Sequence, residues 1–432
     1  MMKGIRFLVA IAALGLFLTG CDSISEDPDP RDDVAEEIAA AFRGDVLEFE
    51  IVEINVADLA AGLGQGRIVL PAVNQAGKVI ELALPTKVVH LRDPNLTQGH
   101  FKFGIGDDAR VETVLLPPEQ NYTLGECGSL RQEPQPGEEP VGCGALTIMD
   151  EAQTMISGLV IHPDVGLAFF EPVDLVLGGR NHPNLHVLYN LEGTAPTPFV
   201  DAQEPDSLDL AENTGAAKAA FVTEATKMVL DGDVQFYNID KPTVWARQAS
   251  VFNTIRIIYG FVEPLSSNPW QLSLGIKGQE VWISGGPSTT NKVALTNELT
   301  DPGYFLITPV TNKELHHFFV GYNVSGVYGR AAGIGTTSAF GGAAGKNHAY
   351  SEARSTQSLK TKWVVMAHEV GHLVGGTHGN GVTSGCAGGL LVSLCGPSLM
   401  PAGSAGSPES RAPYFATNND INIANVIDAV LP

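Results

Sequence analysis

Apolar residues follow two different periods along this chain. From about residue 45 to 192 they alternate with polar ones or form short β-branched blocks bounded by turn residues. Val46-Leu47-Glu48-Phe49-Glu50-Ile51-Val52, Lys87-Val88-Val89-His90-Leu91, Gly158-Leu159-Val160-Ile161-His162 and Ala168-Phe169-Phe170-Glu171-Pro172-Val173-Asp174 are examples. A period of two belongs to strands, so this half reads as a mostly β module, a sandwich or barrel. Beyond residue 214 the spacing lengthens. Thr214 to Leu230 and Ala246 to Tyr259 carry apolar residues at helical intervals, while Leu272-Ser273-Leu274-Gly275-Ile276 and Val281-Trp282-Ile283 read as strands. Asp420 to Leu431, with Ile423, Val426, Ile427 and Val430 on one face, predicts a closing helix. The expected class is therefore α+β: a twisted mixed sheet with helices and a small irregular C-terminal part, preceded by a mostly β N-terminal domain. Between the halves, Gly193-Thr194-Ala195-Pro196-Thr197-Pro198 and the acidic stretch that follows read as a linker over 193–213. The expected boundaries are thus 45–192, 193–213 and 214–432. No internal repeat is evident.

The amino terminus adds a location. Lys3 and Arg6 precede an apolar run from Phe7 to Phe17, too short to span a bilayer, which predicts an export signal over 1–20. Leu18-Thr19-Gly20-Cys21 resembles a bacterial lipobox, which implies that Cys21 becomes the acylated first residue. The acidic, proline-bearing residues after it predict a tether over 21–44, holding the body at a membrane by lipid alone. The expected place is the bacterial cell envelope, on the periplasmic face or the cell surface. The formal net charge of −22 makes nucleic acid and anionic lipid head groups poor partners. Removing Cys21 leaves Cys127, Cys143, Cys386 and Cys395, an even set in an exported chain, and proximity pairs Cys127 with Cys143 and Cys386 with Cys395. An N-terminal cysteine acting as a metal-coordinating latency switch is the alternative.

The chemistry is concentrated in residues 368–378, His-Glu-Val-Gly-His-Leu-Val-Gly-Gly-Thr-His. His368 and His372, four apart, leave the same face of a helix and can share one metal ion. Glu369 sits beside that face, placed as a general base. Gly375 can take the left-handed conformation that ends a helix, which lets the chain bring His378 back as a third ligand. Three imidazoles with one open position describe a catalytic zinc site, whereas structural zinc is closed by four protein ligands. His182 and His186 are also four apart, but Pro183 between them argues against a helix, so they read as loop or strand histidines. His316, His317 and His348 are assigned to the core or to support of the ligands, since the triad is already complete.

This motif resembles the signature of the metzincin zinc endopeptidases, in which a methionine turn follows the third histidine. Met400, in Gly396-Pro397-Ser398-Leu399-Met400-Pro401, matches that turn. Over residues 210–432 the order of segments is similar to the adamalysin, or reprolysin-like, branch: Val251 to Tyr259, Leu272 to Ile283, His316 to Gly321, the Gly-rich stretch Gly329 to Gly335, the motif, then Ser407 to Arg411. Gly379 stands where that branch usually carries Asp. The resemblance implies one Zn2+ ion, polypeptide substrates, and a prodomain in the position of the β module. It also implies a substrate-binding edge strand shortly before the motif, for which Ala331-Ala332-Gly333-Ile334-Gly335 is the candidate. Two other readings stay open: a zinc-binding lipoprotein without turnover, against which the intact Glu369 argues, and a zinc hydrolase acting on a different amide of the cell envelope. Oligomeric state and cleavage-site preference are not encoded in any of these features.

Overall fold

A computed structural model describes residues 7–8, 30–104, 108–127, 130, 141–179, 182–191, 194, 197–198, 222–239, 241–262, 270–301, 303–325, 327–343, 345–378, 385–386, 395–396, 408–409 and 417–431. Among the described residues there are two large sheets, two short two-stranded ladders, Thr197–Pro198 with Pro408–Glu409 and Gly385–Cys386 with Cys395–Gly396, and the helices packed on them.

The first sheet is antiparallel throughout and has nine strands, in the order Phe7–Leu8, Glu48–Glu53, Leu185–Asn190, Gly166–Pro172, Ile156–His162, Cys143–Ile148, Asn121–Gly125, Val79–Val88 and Arg67–Val73. The sheet curls on itself: Ile68, Leu70, Leu82 and Leu84 of its last two strands pack with Leu146, Val160, Phe170, Leu188 and the short helix Val56–Gly64, while Ala145, Leu159, Phe169 and Tyr189 join the main core. Cys127 and Cys143 form a disulfide in this half.

The second sheet has seven strands, in the order Gly329–Ala331, His348–Glu352, Leu315–Val320, Val222–Gly232, Trp270–Ser284, Gln98–Phe103 and Arg110–Leu115. The interior strands from His348–Glu352 to Gln98–Phe103 run parallel and the two edges antiparallel. Residues 98–115 come from the N-terminal half, so that half does not close on itself: it lends a hairpin to the sheet of the other. The linker expected at 193–213 lies almost entirely outside the described residues.

Two local expectations are corrected. Val222–Gly232 is a strand where helical spacing was read. It is paired on both sides at the centre of the second sheet, and an interior parallel strand carries apolar residues on both faces, which blurs the period of two. Pro30–Phe42 is a helix where a tether was expected, with Val34, Ala35, Ile38 and Phe42 buried in the main core. Those four residues repeat at helical spacing within the acidic background, and Phe42 meets Phe49 and Tyr189 edge-on.

Helix Val244–Ile257 lies between the sheets and is buried from end to end. Its polar residues are accordingly bonded: Asn253 to the Leu146 carbonyl and Thr147, Ser250 to Ser157, and Arg256 to Thr123. The closing helix is Thr417–Val430, with Ile423, Val426, Ile427 and Val430 buried as the pattern predicts. Among the described residues no helix is long and apolar enough to cross a membrane.

Candidate metal centre and active site

The motif helix is Leu359–Leu373, and every residue in it is buried. Ser358 caps its start by accepting the Thr361 N–H. Two carboxylates from the N-terminal half reinforce that end. Asp45 accepts hydrogen bonds from the Ser358 N–H, the Ser358 hydroxyl and the Thr361 hydroxyl, and Glu171 accepts the Leu359 N–H at 2.6 Å. Anionic oxygens at the positive end of the helix dipole are stabilising there. Near the other end the Tyr259 hydroxyl donates to the Ala367 carbonyl at 2.6 Å, pinning the residue before the first ligand.

His368 and His372 emerge on one face with ring centroids 4.8 Å apart. The helix then stops as the sequence implies: Gly375 has φ +105°, its N–H reaches the His372 carbonyl, and Gly376 N–H reaches Gly371. Neighbouring backbone seals the exposed carbonyls, with Gly335 N–H on His372 and Gly341 N–H on Leu373. The chain returns His378 to within 5.3 Å of the His368 ring and 4.7 Å of the His372 ring. His372 Nδ1 lies 2.9 Å from the Gly376 carbonyl, which requires the proton on Nδ1 and puts the ring lone pair on Nε2.

The donor set fits a zinc ion. All three ligand atoms lie within 4.8 Å of one another, and His378 Nε2 is 3.3 Å from His368 Nε2. A tetrahedron with Zn–N bonds of about 2.0–2.1 Å has N···N edges of about 3.3–3.4 Å. Among the described residues this is the one cluster of three such side chains.

Glu369 is fully buried beside the triad. It lies directly under Gly329, where an added Cβ would stand 2.8 Å from its Cγ and Oε1 and 2.7 Å from a methyl of Val365. The sequence reading missed Gly329 and Tyr259 as parts of the site, although Gly329 opens the Gly-rich run it had noted. The edge strand is Gly329–Ala331, so of the five residues expected to form it only Ala331 does. Ala332 still pairs through its N–H with the His348 carbonyl, but Gly333 packs on the Gly341 carbonyl and Gly335 turns to the end of the motif helix. Those close approaches need glycine and pull the backbone out of the ladder.

His316, His317 and His348 are in strands, away from the triad. His316 Nδ1 meets His348 Nδ1 at 2.7 Å, and its Nε2 is 3.7 Å from Asp231. His317 Nε2 meets Ser351 at 2.8 Å. Burial holds His317 and His348 down to about 3, so both imidazoles are neutral near pH 7. His186 is a buried strand residue that accepts the Ile156 N–H, and His182 sits in a loop beside Asp174. Met400, Cys21 and the segment 379–384 lie outside the described residues. Cys386 and Cys395 face each other across a two-residue ladder, while a bond between their side chains falls outside what is described.

Residues 225–403 match the model of metallo-peptidase family M12 of the reprolysin type. The crystal structure of metalloproteinase-II from Bacteroides fragilis is similar at 11% identity, over 88% of this chain and 96% of that one, with a TM-score of 0.48. The structure of a chaperone–substrate complex matches at 14% identity, over 48% of this chain and 35% of that one, with a TM-score of 0.33. No curated protein matches the chain in sequence. The helix-borne histidine pair, the glycine exit, the returning third histidine and the family match together support a metzincin-like metallopeptidase domain over residues 225–403.

Proposed function

We propose that the protein is a zinc-dependent endopeptidase whose ligands are His368, His372 and His378 and whose general base is Glu369. The observation that carries this is the convergence of three imidazoles whose ligand atoms lie within 4.8 Å of one another, with a fully buried carboxylate as the neighbour of the first. Zinc, when bound, supplies a Lewis acid that acidifies water and polarises a carbonyl. Glu369 takes the proton of the attacking water on a carboxylate oxygen and hands it to the departing amine nitrogen. Gly329 leaves room for that carboxylate. The Gly376 carbonyl holds the His372 tautomer that keeps a lone pair on Nε2. A peptide adding to the edge strand Gly329–Ala331 would lie beside Glu369 in register set by backbone hydrogen bonds.

On the same reading the chain is exported and lipid-anchored through Cys21, supported by the short apolar run and lipobox-like residues at its start. Met400 would supply the methionine turn, and a Cys386–Cys395 bridge would pin the loop before it.

The test uses denatured protein substrates, with product bands read on gels. Wild type cleaves and stops on treatment with a chelator, and stoichiometric Zn2+ restores it. Glu369→Gln keeps one zinc per chain but loses activity by on the order of 10²-fold or more. Absence of cleavage by zinc-loaded wild type would sink the peptidase reading, and equal cleavage by both proteins would remove Glu369 from its role.

A further inference from the structure

Arg330 is the middle residue of the edge strand Gly329–Ala331, one position from the glycine that covers Glu369. Its register partner on the inner side is Tyr350. The ladder around it is phased by Glu352 N–H on the Tyr328 carbonyl and Ala332 N–H on the His348 carbonyl. Hydrogen-bonded pairs in an antiparallel ladder recur every two residues, so the backbone groups of Arg330 also point inward, to Tyr350. Those of Gly329 and Ala331 point outward. A peptide strand that joins this edge therefore bonds to Gly329 and Ala331 and sets one of its own residues across from Arg330 in a non-hydrogen-bonded pair. Cα atoms in such a pair are about 4.5 Å apart, the closest side-chain approach that a sheet offers.

The charge of Arg330 is unmatched among the described residues. The side chain forms no ion pair and no hydrogen bond among the described residues, and its Nε is buried without a partner. Other arginines of this domain are all engaged: Arg247 with the Ala353 carbonyl, Arg256 with Asn253 and Thr123, Arg354 with Glu352. Its register partner, Tyr350, offers no negative charge: burial raises its pKa and keeps the hydroxyl protonated, and that oxygen too lacks a hydrogen-bond partner among the described residues. An unmatched guanidinium is unexpected in a chain of net charge −22, where carboxylates are plentiful. Long-range repulsion of acidic peptides by that charge is screened beyond about 8 Å at physiological salt, so a contact at the strand edge decides the local preference.

We infer that Arg330 is a specificity-determining residue that selects substrates carrying an Asp or Glu side chain at the one position facing it across the edge strand. This rests on the endopeptidase reading. A carboxylate at that position gains a charge-assisted pair with a planar guanidinium, which a neutral or basic residue cannot make.

The experiment measures kcat/KM for zinc-loaded full-length protein on quenched fluorescent peptides. A cleaved parent sequence is varied one position at a time to Glu, Gln and Lys on both sides of the scissile bond. Wild type should favour Glu over Lys on the order of tenfold or more at a single position, mainly through KM. Arg330→Gln should bring that ratio close to one, Arg330→Glu should invert it, and Arg330→Lys should restore part of it. Because each ratio is taken within one protein preparation, loss of folded material cancels. A flat wild-type profile, or a ratio that survives Arg330→Gln, overturns the inference while leaving the peptidase reading intact. Failure of wild type to cleave any peptide overturns both.

Discussion

At the scale of single residues, the site depends as much on what is missing from a side chain as on what is present. Glu369 can occupy its place beside the histidines because Gly329 has no Cβ: one placed there would press on Glu369 and Val365 at 2.7–2.8 Å. None of the three histidines is among the three atoms nearest to such a Cβ. Gly329→Val should therefore displace the base and spare the metal. The expected result is a fall in kcat on the order of 10²-fold with zinc content, read by atomic absorption, still near one per chain. Full activity in the variant would show that Glu369 has slack the structure does not suggest. The placement of the histidines, Glu369 and Gly375 is legible in the sequence because it follows from spacing along one helix and its exit. The positions of Gly329 and Tyr259 are not, since they meet that helix only once a strand and a second helical segment are laid against it.

Among elements, the motif helix shows how a local signal and a distant one combine. Its end was readable, because Gly375 and Gly376 stop it within the chain's own next few residues. Its start is held by Ser358 locally and by Asp45 and Glu171 from more than a hundred residues away, and no pattern near 358 announces them. The strand Val222–Gly232 and the helix Pro30–Phe42 were misread for a related reason. Burial on both sides erases the period of a central strand, and an acidic surface masks four inward residues of a helix. Asp45 gives the sharpest test, for it accepts three hydrogen bonds at that helix start. Asp45→Ala should lower stability by about 1–3 kcal/mol in urea unfolding followed by fluorescence, through the lost cap and the unpaired donors. A loss no larger than that of an exposed surface change would mean that Ser358 suffices alone.

For the whole molecule, the decisive fact is that the N-terminal half is built into the peptidase sheet. Hairpin 98–115 forms its far edge and carries Lys102 into the interior, where it pairs with Asp231 and Glu280; all three side chains are fully buried. The rings of Trp282 and Tyr304 lie against the ammonium, and the Tyr304 hydroxyl donates to Asp231 at 2.6 Å. Burial alone would raise Asp231, but Lys102 and His316 hold it down to about 2. Glu280 in turn accepts the N–H groups of Ile307 and Thr308. Without Lys102 two carboxylates would stay in the core with His316 the nearest basic group to Asp231. Lys102→Met should thus cost about 3–5 kcal/mol, since breaking a buried pair from one side strands its partners. The combined variant Lys102→Met, Asp231→Leu, Glu280→Met removes the stranded charges along with the cation. It should recover most of that loss in thermal or urea unfolding, because a well-packed apolar replacement of a buried ion cluster is close to neutral. If the single and triple variants are equally unstable, the cluster matters for its hydrogen bonds to Tyr304, Ile307 and Thr308 more than for its charge. If the single variant is as stable as wild type, the N-terminal half is held to the peptidase sheet by its strand pairing and apolar contacts alone.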